Sequence, residues 1–384
     1  MTQPNSQTIE LTTVSSRPRW QRTRKLLKIV IALLILISAA IYLYLQQAQF
    51  AAPQVKPDSY QGKYVDGIFH NSVDVPVSTS SDGALVGFYR FLTDKVTDAV
   101  PTSDLPSQKT DLFSLNPQDN VMIWMGHSSY FIQLDGTRYL IDPVFSANAS
   151  PVPETNLAFP GSNVYQAEDI PDIDYLLISH DHWDHLDYPT IQALKNKIGH
   201  IITPIGVGSY FTQWGFSQEM ITEGDWYDAI DTEQGQIHIL PAQHFSGRLL
   251  KRNRTLWGSF AIVSGQHKLY LGGDSGYGEH FKQIADQLGG FDIAVLETGQ
   301  YNQNWPFIHM MPEEVAQATL DLNAKALLPS HNSKFKLAKH AWYEPLDRIQ
   351  AASDDKDYRL MTPMIGETIR IDDPDQTFES WWKS

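Results

Sequence analysis

From Val121 onward the chain is written in short apolar runs separated by turn residues. The first three, "VMIWMG", "YFIQLD" and "RYLID", follow so closely that only an antiparallel meander can connect them. After a long loop comes "DYLLIS". Later runs, "HIITPI", "QIHILPA", "SFAIVS", "KLYLGG", "FDIAVLE" and "AKALLPS", are interleaved with helix-like segments. These helices are expected over Pro189–Lys197, closed by Gly199, and over Val207–Trp214, Glu279–Leu288, Pro312–Leu322 and Trp342–Ala351. Two sheets packed together and covered by helices satisfy both halves of the pattern, which makes residues 121–384 an α/β domain. A composition that is 42% hydrophobic and 11% aromatic is ample for its core.

The opening of the chain obeys a different rule. Arg17, Arg19, Arg22, Arg24, Lys25 and Lys28 precede "IVIALLILISAAIYLYL", which is uncharged from Ile29 to Leu45. As a helix this run covers roughly 25 Å, and Leu26 and Leu27, with Lys28 snorkelling, bring it to the length that crosses a bilayer. A cleaved signal peptide is the competing reading, because "SAA" and "QFAA" supply small residues, but the run is longer than a signal peptide's apolar core. Residues 1–28 are therefore read as a basic cytoplasmic tail, 29–45 as an uncleaved anchor and 46–120 as a tether and lead-in. By the positive-inside rule the remainder lies across the membrane, which in a bacterium places the domain on the periplasmic face of the inner membrane. Within the lead-in, Ala84–Lys95 reads as a helix that Asp82 caps, with Leu85, Phe88, Tyr89 and Leu92 on one face.

A formal net charge of −15 argues against nucleic acid as a partner. The chain has no cysteine, so a metal ion has to be held by His, Asp or Glu. Such groups are concentrated in "ISHDHWDHLD", Ile178 to Asp187, directly after an apolar strand. His180, His182, Asp184 and His185 are side chains that bind borderline transition ions. His244, Asp274 and His331 each stand just beyond the end of another apolar strand. This set of N and O ligands is richer than a closed structural site needs and suits two ions about 3.5 to 4 Å apart with a water between them. "GGDSGYG" misses the serine-hydrolase pattern because Tyr277 replaces its last glycine, so Asp274 as a ligand explains that stretch better.

These residues carry a resemblance. "SHDHWDHLD" resembles the H-x-H-x-D-H signature of the metallo-β-lactamase superfamily, whose later ligands follow in the order of His244, Asp274 and His331. "LIDPVFSANASP", "PAQHFSGR", "LWGSF", "GGDSGY" and "HMMPEEV" are similar to the successive motifs of its N-acylphosphatidylethanolamine-hydrolysing phospholipase D branch. The resemblance spans Val121 to Ile371 and implies an αββα sandwich. It also implies one zinc on His180, His182 and His244, a second on Asp184, His185 and His331, and Asp274 between them, with iron and manganese as alternative ions. Asp184 and Asp274 then belong to the catalytic centre. His309 is expected beside the metals, at the substrate phosphate or leaving group. Asp142 is expected beneath them, orienting ligands or water. His127 and Trp305 are expected near the site, Trp305 lining the substrate cleft. Around the last ligand, "SHNSKF" replaces the branch's His-Trp-Gly.

The expected activity is hydrolysis of a phosphodiester, of the phospholipid kind, with the membrane as a second partner. Two other readings compete with it. One is hydrolysis of a lactone, lactam or other carboxyl derivative by the same centre; the other is a tethered metal-binding protein without turnover, which the presence of every expected ligand disfavours.

Overall fold

The computed structural model describes residues 19–55, 64–81, 83–249 and 251–383. The chain divides into two compact units, Met1–Ala51 and Ala52–Ser384. In the first, helix α1 (Arg19–Tyr44) contains an apolar stretch, Thr23–Tyr44, with a mean hydropathy of 2.7 and no burial, long and apolar enough to cross a membrane.

The second unit opens with a hairpin, β1 (Tyr64–Val65) and β2 (Ile68–Phe69), whose turn residues Asp66 and Gly67 both have positive φ, 53° and 81°. That is the two-residue turn which Asp-Gly favours. Helix α2 (Ala84–Thr93) follows, with Gly83 preceding its first turn; Asp82, the expected cap, lies outside the described residues. The lead-in is not a free strand of chain. Leu105 and Leu112 are buried, Leu105 N–H donates to Pro160 O, and Ser107 bridges to Ile365. Gly161 permits this approach, since a Cβ there would meet the Leu105 backbone at 2.7 Å.

The first sheet contains β3 (Val121–Trp124), β4 (Tyr130–Leu134), β5 (Thr137–Ile141) and β6 (Ile173–Leu177). It continues after α3 (Tyr188–Leu194) with β7 (Ile198–Pro204), and after α4 (Gly208–Gln213) with β8 (Ile221–Gly224). The second sheet contains β9 (Ala229–Thr232), β10 (Gly235–Leu240), β11 (Ser259–Ser264) and β12 (His267–Leu271). After α5 (His280–Leu288) come β13 (Ile293–Glu297), α6 (Pro312–Asp321), β14 (Ala326–Ser330), α7 (Glu344–Ser353) and β15 (Arg359–Leu360). Finally β16 (Thr368–Arg370) crosses back and pairs antiparallel with β3. The orders are β16-β3-β4-β5-β6-β7-β8 and β15-β14-β13-β12-β11-β10-β9. Each sheet is an antiparallel meander continued by parallel strands, which crossover helices join except between β5 and β6, where a long loop makes the crossing.

Alternation along the strands builds the interior. Met122, Trp124, Ile132, Leu134, Tyr139 and Ile141 of the first sheet share one cluster with Ile237, Ile239, Phe260, Ile262, Leu269 and Leu271 of the second, so the sheets pack face to face. The outer face of the second sheet, through Ala261, Tyr270, Ala294 and Leu296, is covered by Phe281 and Ile284 of α5 and Val315 and Ala318 of α6. Helix α4 packs on β7 and β8 of the first. The fold is the expected αββα sandwich. One local expectation is corrected. Helix α3 ends at Leu194 and passes through a 3₁₀ turn, and Gly199 lies inside β7 rather than capping the helix. A Cβ there would stand 2.9 Å from Asp174 O, so the glycine serves close strand packing.

Lys334 is an unusual member of the interior. Its side chain is 1% exposed, and its ammonium donates to Val144 O at 2.8 Å and Met125 O at 3.3 Å. Burial lowers its pKa from 10.5 to about 7. Between these values the unfolded chain holds the proton and the native state does not, so this group makes stability rise with pH from about 7 to 10.5. Denaturant titrations from pH 7 to 10 on metal-loaded Lys334→Met are expected to lose up to about 1.4 kcal/mol per pH unit of that slope relative to wild type. An unchanged slope would mean that Lys334 is not neutralised on folding.

Candidate metal centre

The strand β6 ends at Leu177, and the ten-residue stretch "ISHDHWDHLD" turns sharply at the rim of the first sheet. Asp142, one residue past the end of β5, sets its course. Ser179 donates to Asp142 from N at 2.8 Å and from Oγ at 2.5 Å, and His185 Nδ1 lies 2.8 Å from Asp142 Oδ2. The three aspartates of the stretch then separate. Asp184 turns inward. Asp181 accepts from Tyr210 OH and Gly247 N, and Asp187 accepts from Ser146 and Thr190, so these two fasten neighbouring loops.

Two groups of donors result. His180 Nε2 lies 2.8 Å from His182 Nδ1, which is 3.3 Å from His244 Nε2. Asp274 Oδ2 stands 3.8 Å from His180 Nε2 and 3.7 Å from His244 Nε2. On the other side, Asp184 Oδ2 lies 3.2 Å from His331 Nε2 and 3.6 Å from His185 Nε2. Asp274 Oδ1 completes that group at 3.2 Å from His185 and 3.3 Å from His331. The two oxygens of one carboxylate therefore face two different clusters.

Whether these residues suit metal ions can be judged from their outward atoms. His244 Nδ1 donates to Ile308 O at 2.9 Å, His180 Nδ1 meets Ser179 Oγ at 3.0 Å, and His185 Nδ1 meets Asp142. Each outer nitrogen is occupied by a hydrogen-bonding partner, which directs the inner lone pair at the cluster, as in histidine ligands generally. His185 Nε2 and Asp274 Oδ1 are buried without a hydrogen-bond partner. Neutral imidazoles and carboxylates that converge in this way fit divalent cations.

The electrostatics agree. Burial holds the His180 and His244 imidazoles well below the usual histidine range, hence neutral. Burial opposes charge on Asp184 and Asp274 too, yet the surrounding imidazoles, His185 foremost, hold both carboxyls well below the usual carboxylate range. Against their own burial, the carboxylates around them, Asp274 foremost, push His185 well up and His331 to about 10. Those protons are what a bound cation displaces.

Of the remaining expected residues, His127 is fully buried, with Nε2 2.8 Å from Asp184 Oδ2 and its ring 4.2 Å from that of His331. His309 stacks on His331 at 5.4 Å and 12°, with its ring 5.1 Å from that of His244. Trp305 is half-buried on the loop before His309 and donates to Gln300 O; among the described residues no contact joins it to the clusters. His127, Asp142 and His331 have φ of 55°, 41° and 59°, a region costing such residues ~1–3 kcal/mol each, and strain of this kind gathers at functional sites.

Two contributors escaped the sequence reading. Asn71 accepts from His244 N–H at 3.0 Å and donates to His244 O at 2.8 Å, a clamp applied from the lead-in by a residue with no local signature. Glu297 closes β13 and lies 1% exposed beside His309 and His331. Its place at the end of an apolar strand, shared with the positions just before Asp274 and His331, was a signal that could have found it.

The profile of a family described as a β-lactamase superfamily domain matches residues 137–332, more than half of the chain. The chain belongs to the metallo-β-lactamase superfamily. This metallohydrolase is 36% identical to an uncharacterized protein of Mycobacterium tuberculosis, over 74% of this chain and 77% of that one. It is 29% identical to N-acyl-phosphatidylethanolamine-hydrolyzing phospholipase D 1 of Caenorhabditis elegans, over 70% of this chain and 84% of that protein, in keeping with the resemblance in its motifs. Among solved structures, an isothiocyanate hydrolase from Delia radicum gut bacteria superposes with a TM-score of 0.52 at 18% identity, over 65% of this chain and 98% of that one, a likeness of fold.

Asp142 offers a test of the site's support. Because it aims His185 without joining either cluster, Asp142→Asn is expected to lower divalent-metal affinity by about 10- to 100-fold in a protein that stays folded. Competition against a chromogenic chelator, with circular dichroism as the folding control, measures this; wild-type affinity would show that His185 needs no such partner.

Proposed function

We propose that this metallohydrolase cleaves a phosphodiester, in particular a phospholipid of the N-acylphosphatidylethanolamine kind, using two zinc ions. His180, His182 and His244 would hold one ion, Asp184, His185 and His331 the other, and Asp274 would reach both. The observation that carries this reading is Asp274, whose two oxygens stand 3.2 to 3.8 Å from imidazoles of the two clusters. A closed single-ion site has no use for a carboxylate shared in this way. The C. elegans relative's name supports the substrate class.

Two bound ions supply a water of lowered pKa and positive charge for the phosphoryl oxygens. The protein's own residues do the rest. Asp142, through Ser179 and His185, keeps the ligand loop from shifting. His127 holds Asp184 from behind. His309, on the more open side of the clusters, donates to the phosphoryl or leaving oxygen as charge develops there. Substrate reaches the site from a membrane in which residues 29–45 anchor the chain, with residues 1–28 cytoplasmic, 46–120 as tether and lead-in and 121–384 as the hydrolase domain across the bilayer.

The deciding experiment offers the metal-loaded protein a chromogenic phosphodiester, a phosphomonoester, a lactone and a β-lactam. Phosphodiester turnover is expected, and on a phosphodiester with an alkanol leaving group His309→Ala is expected to keep its metal while kcat falls by roughly 10² to 10³. Rapid lactone or lactam hydrolysis without phosphodiesterase activity would replace this reading with the carboxyl one. Elemental analysis should find close to two zinc ions in wild type, with loss of metal from Asp274→Ala and His182→Ala; full metal content in both variants would sink the ligand assignment.

Topology has its own check. Alkaline phosphatase fused after Ala52 is expected to be active in a bacterial host, because the basic cluster lies before Ile29. A fluorescent protein that matures only in the cytoplasm should stay dark at the same junction, and the reverse pattern would invert the orientation.

A further inference from the structure

Glu297 is held more firmly than a carboxylate needs to be for packing alone. One oxygen, Oε1, accepts backbone N–H groups from Met310 at 3.1 Å and Ser275 at 3.2 Å, which come from two separate segments. With that oxygen pinned, the plane of the carboxylate cannot turn, and Oε2 is aimed at His309 Nδ1, 2.5 Å away. His309 itself lies on an irregular stretch between β13 and α6, where no helix or strand fixes its ring. Its side chain is 13% exposed, against 1% for His244 and His331, so with the half-buried His182 it lies on the solvent side of the cluster. Since Nδ1 is engaged by Glu297, Nε2 is the ring atom left for a substrate.

We propose that Glu297 is a positioning residue that makes His309 the proton donor to the leaving oxygen. This rests on the phosphodiesterase reading above. In that reaction the water oxygen bonds to phosphorus and the P–O bond to the leaving group breaks, its electron pair remaining on the leaving oxygen. His309 Nε2–H gives that oxygen its proton, and a proton from the attacking water restores the ring. Throughout, Nδ1–H stays hydrogen-bonded to an ionised Glu297, which fixes the ring's orientation and balances its charge when both nitrogens carry hydrogen. The logic is that of a carboxylate behind a catalytic imidazole in other hydrolases. Glutamine cannot reproduce it. With its carbonyl oxygen kept by the two backbone amides, its NH₂ would face Nδ1 and force that nitrogen to accept.

Glu297 Oε2 also lies 3.3 Å from His331 Nδ1, so a role confined to steadying a metal ligand has to be told apart. The experiment uses the full-length, zinc-loaded protein as wild type, Glu297→Gln, His309→Ala and the double variant. Two phosphodiesters are compared that differ only in leaving group, one releasing 4-nitrophenolate and one a simple alkanol. A nitrophenolate needs no proton to leave, whereas an alkoxide does. Glu297→Gln is expected to retain its zinc and its KM, to lose about 10²-fold in kcat on the alkanol ester and less than about 5-fold on the nitrophenyl ester. The double variant should be no slower than His309→Ala, because the two residues act as one unit. Equal losses on both esters, loss of zinc, or additive losses in the double variant would each overturn the proposal. Should Glu297→Gln fail to fold, ¹⁵N-histidine NMR of the wild type decides the pairing: a protonated Nδ1 on His309 supports it, and a bare Nδ1 refutes it. A wild type that cleaves neither ester sinks the phosphodiesterase reading and the acid role together, while the NMR result still judges the Glu297–His309 geometry separately.

Discussion

Asp274 brings a carboxylate, 3% exposed, between two groups of imidazoles that, apart from the half-buried His182, are themselves closed off from water. Taking such groups out of solvent is costly unless each finds a partner of opposite character, yet His185 Nε2 and Asp274 Oδ1 are buried without a hydrogen-bond partner. Cations resolve the imbalance, and much of the surrounding structure can be understood as holding the donors in place for them. Asp142 gives up both oxygens to aim Ser179 and His185. Ile308 O fixes the tautomer of His244. The left-handed backbone at His127, Asp142 and His331 persists because packing on both sides over-determines it.

The donors can converge because of how the two sheets are arranged. Each begins as a meander and continues as parallel strands, so the strand ends that precede the "HDHWDH" stretch, Asp274 and His331 open on one rim of the sandwich. The interior between the sheets is apolar and rigid, with Trp124, Tyr139, Phe260 and Ile262 all nearly or fully inaccessible. Loops fastened to such a base can hold side chains within the tolerance that ligand geometry demands.

How much of this was legible beforehand depended on whether the information was local. The buried strands of both sheets announce themselves as apolar runs, and most helices do so by periodicity and by proline at their first turns. Strands β8 and β9 escaped because they are edge strands: "ITEG" and "AIDT" mix polar residues with few apolar ones, and their side chains are largely half-exposed or exposed. The hairpin β1–β2 carried its Asp-Gly signal inside a stretch read as a tether. The His and Asp residues expected as ligands do come together, since a strand followed by a dense His/Asp loop leaves few alternatives, whereas Trp305, expected near them, makes no contact with either cluster among the described residues. What could not be read was the division of labour. The H-x-H-x-D-H signature singles out Asp184, but only the distant partners Tyr210, Gly247, Ser146 and Thr190 show that Asp181 and Asp187 face away to fasten neighbouring loops. Asn71 and Glu297 likewise owe their places to contacts made across the fold.

The return of β16 to the first sheet bears on how the molecule comes into being. Strand β3 is made early, yet its neighbour on one side is supplied by Thr368–Arg370, and Trp381 and Trp382 enter the same core that joins the sheets. A growing chain can form the meander and the ligand loop, but it cannot seal the space between the sheets until residues 368–382 have been synthesised. Pairings so distant along the chain are slow to form. Until then the imidazoles lack their rigid backing, so the order of events favours closure of the sandwich before tight metal capture, and a nascent chain stalled before this segment would offer its histidines to any passing ion without the geometry to choose among them.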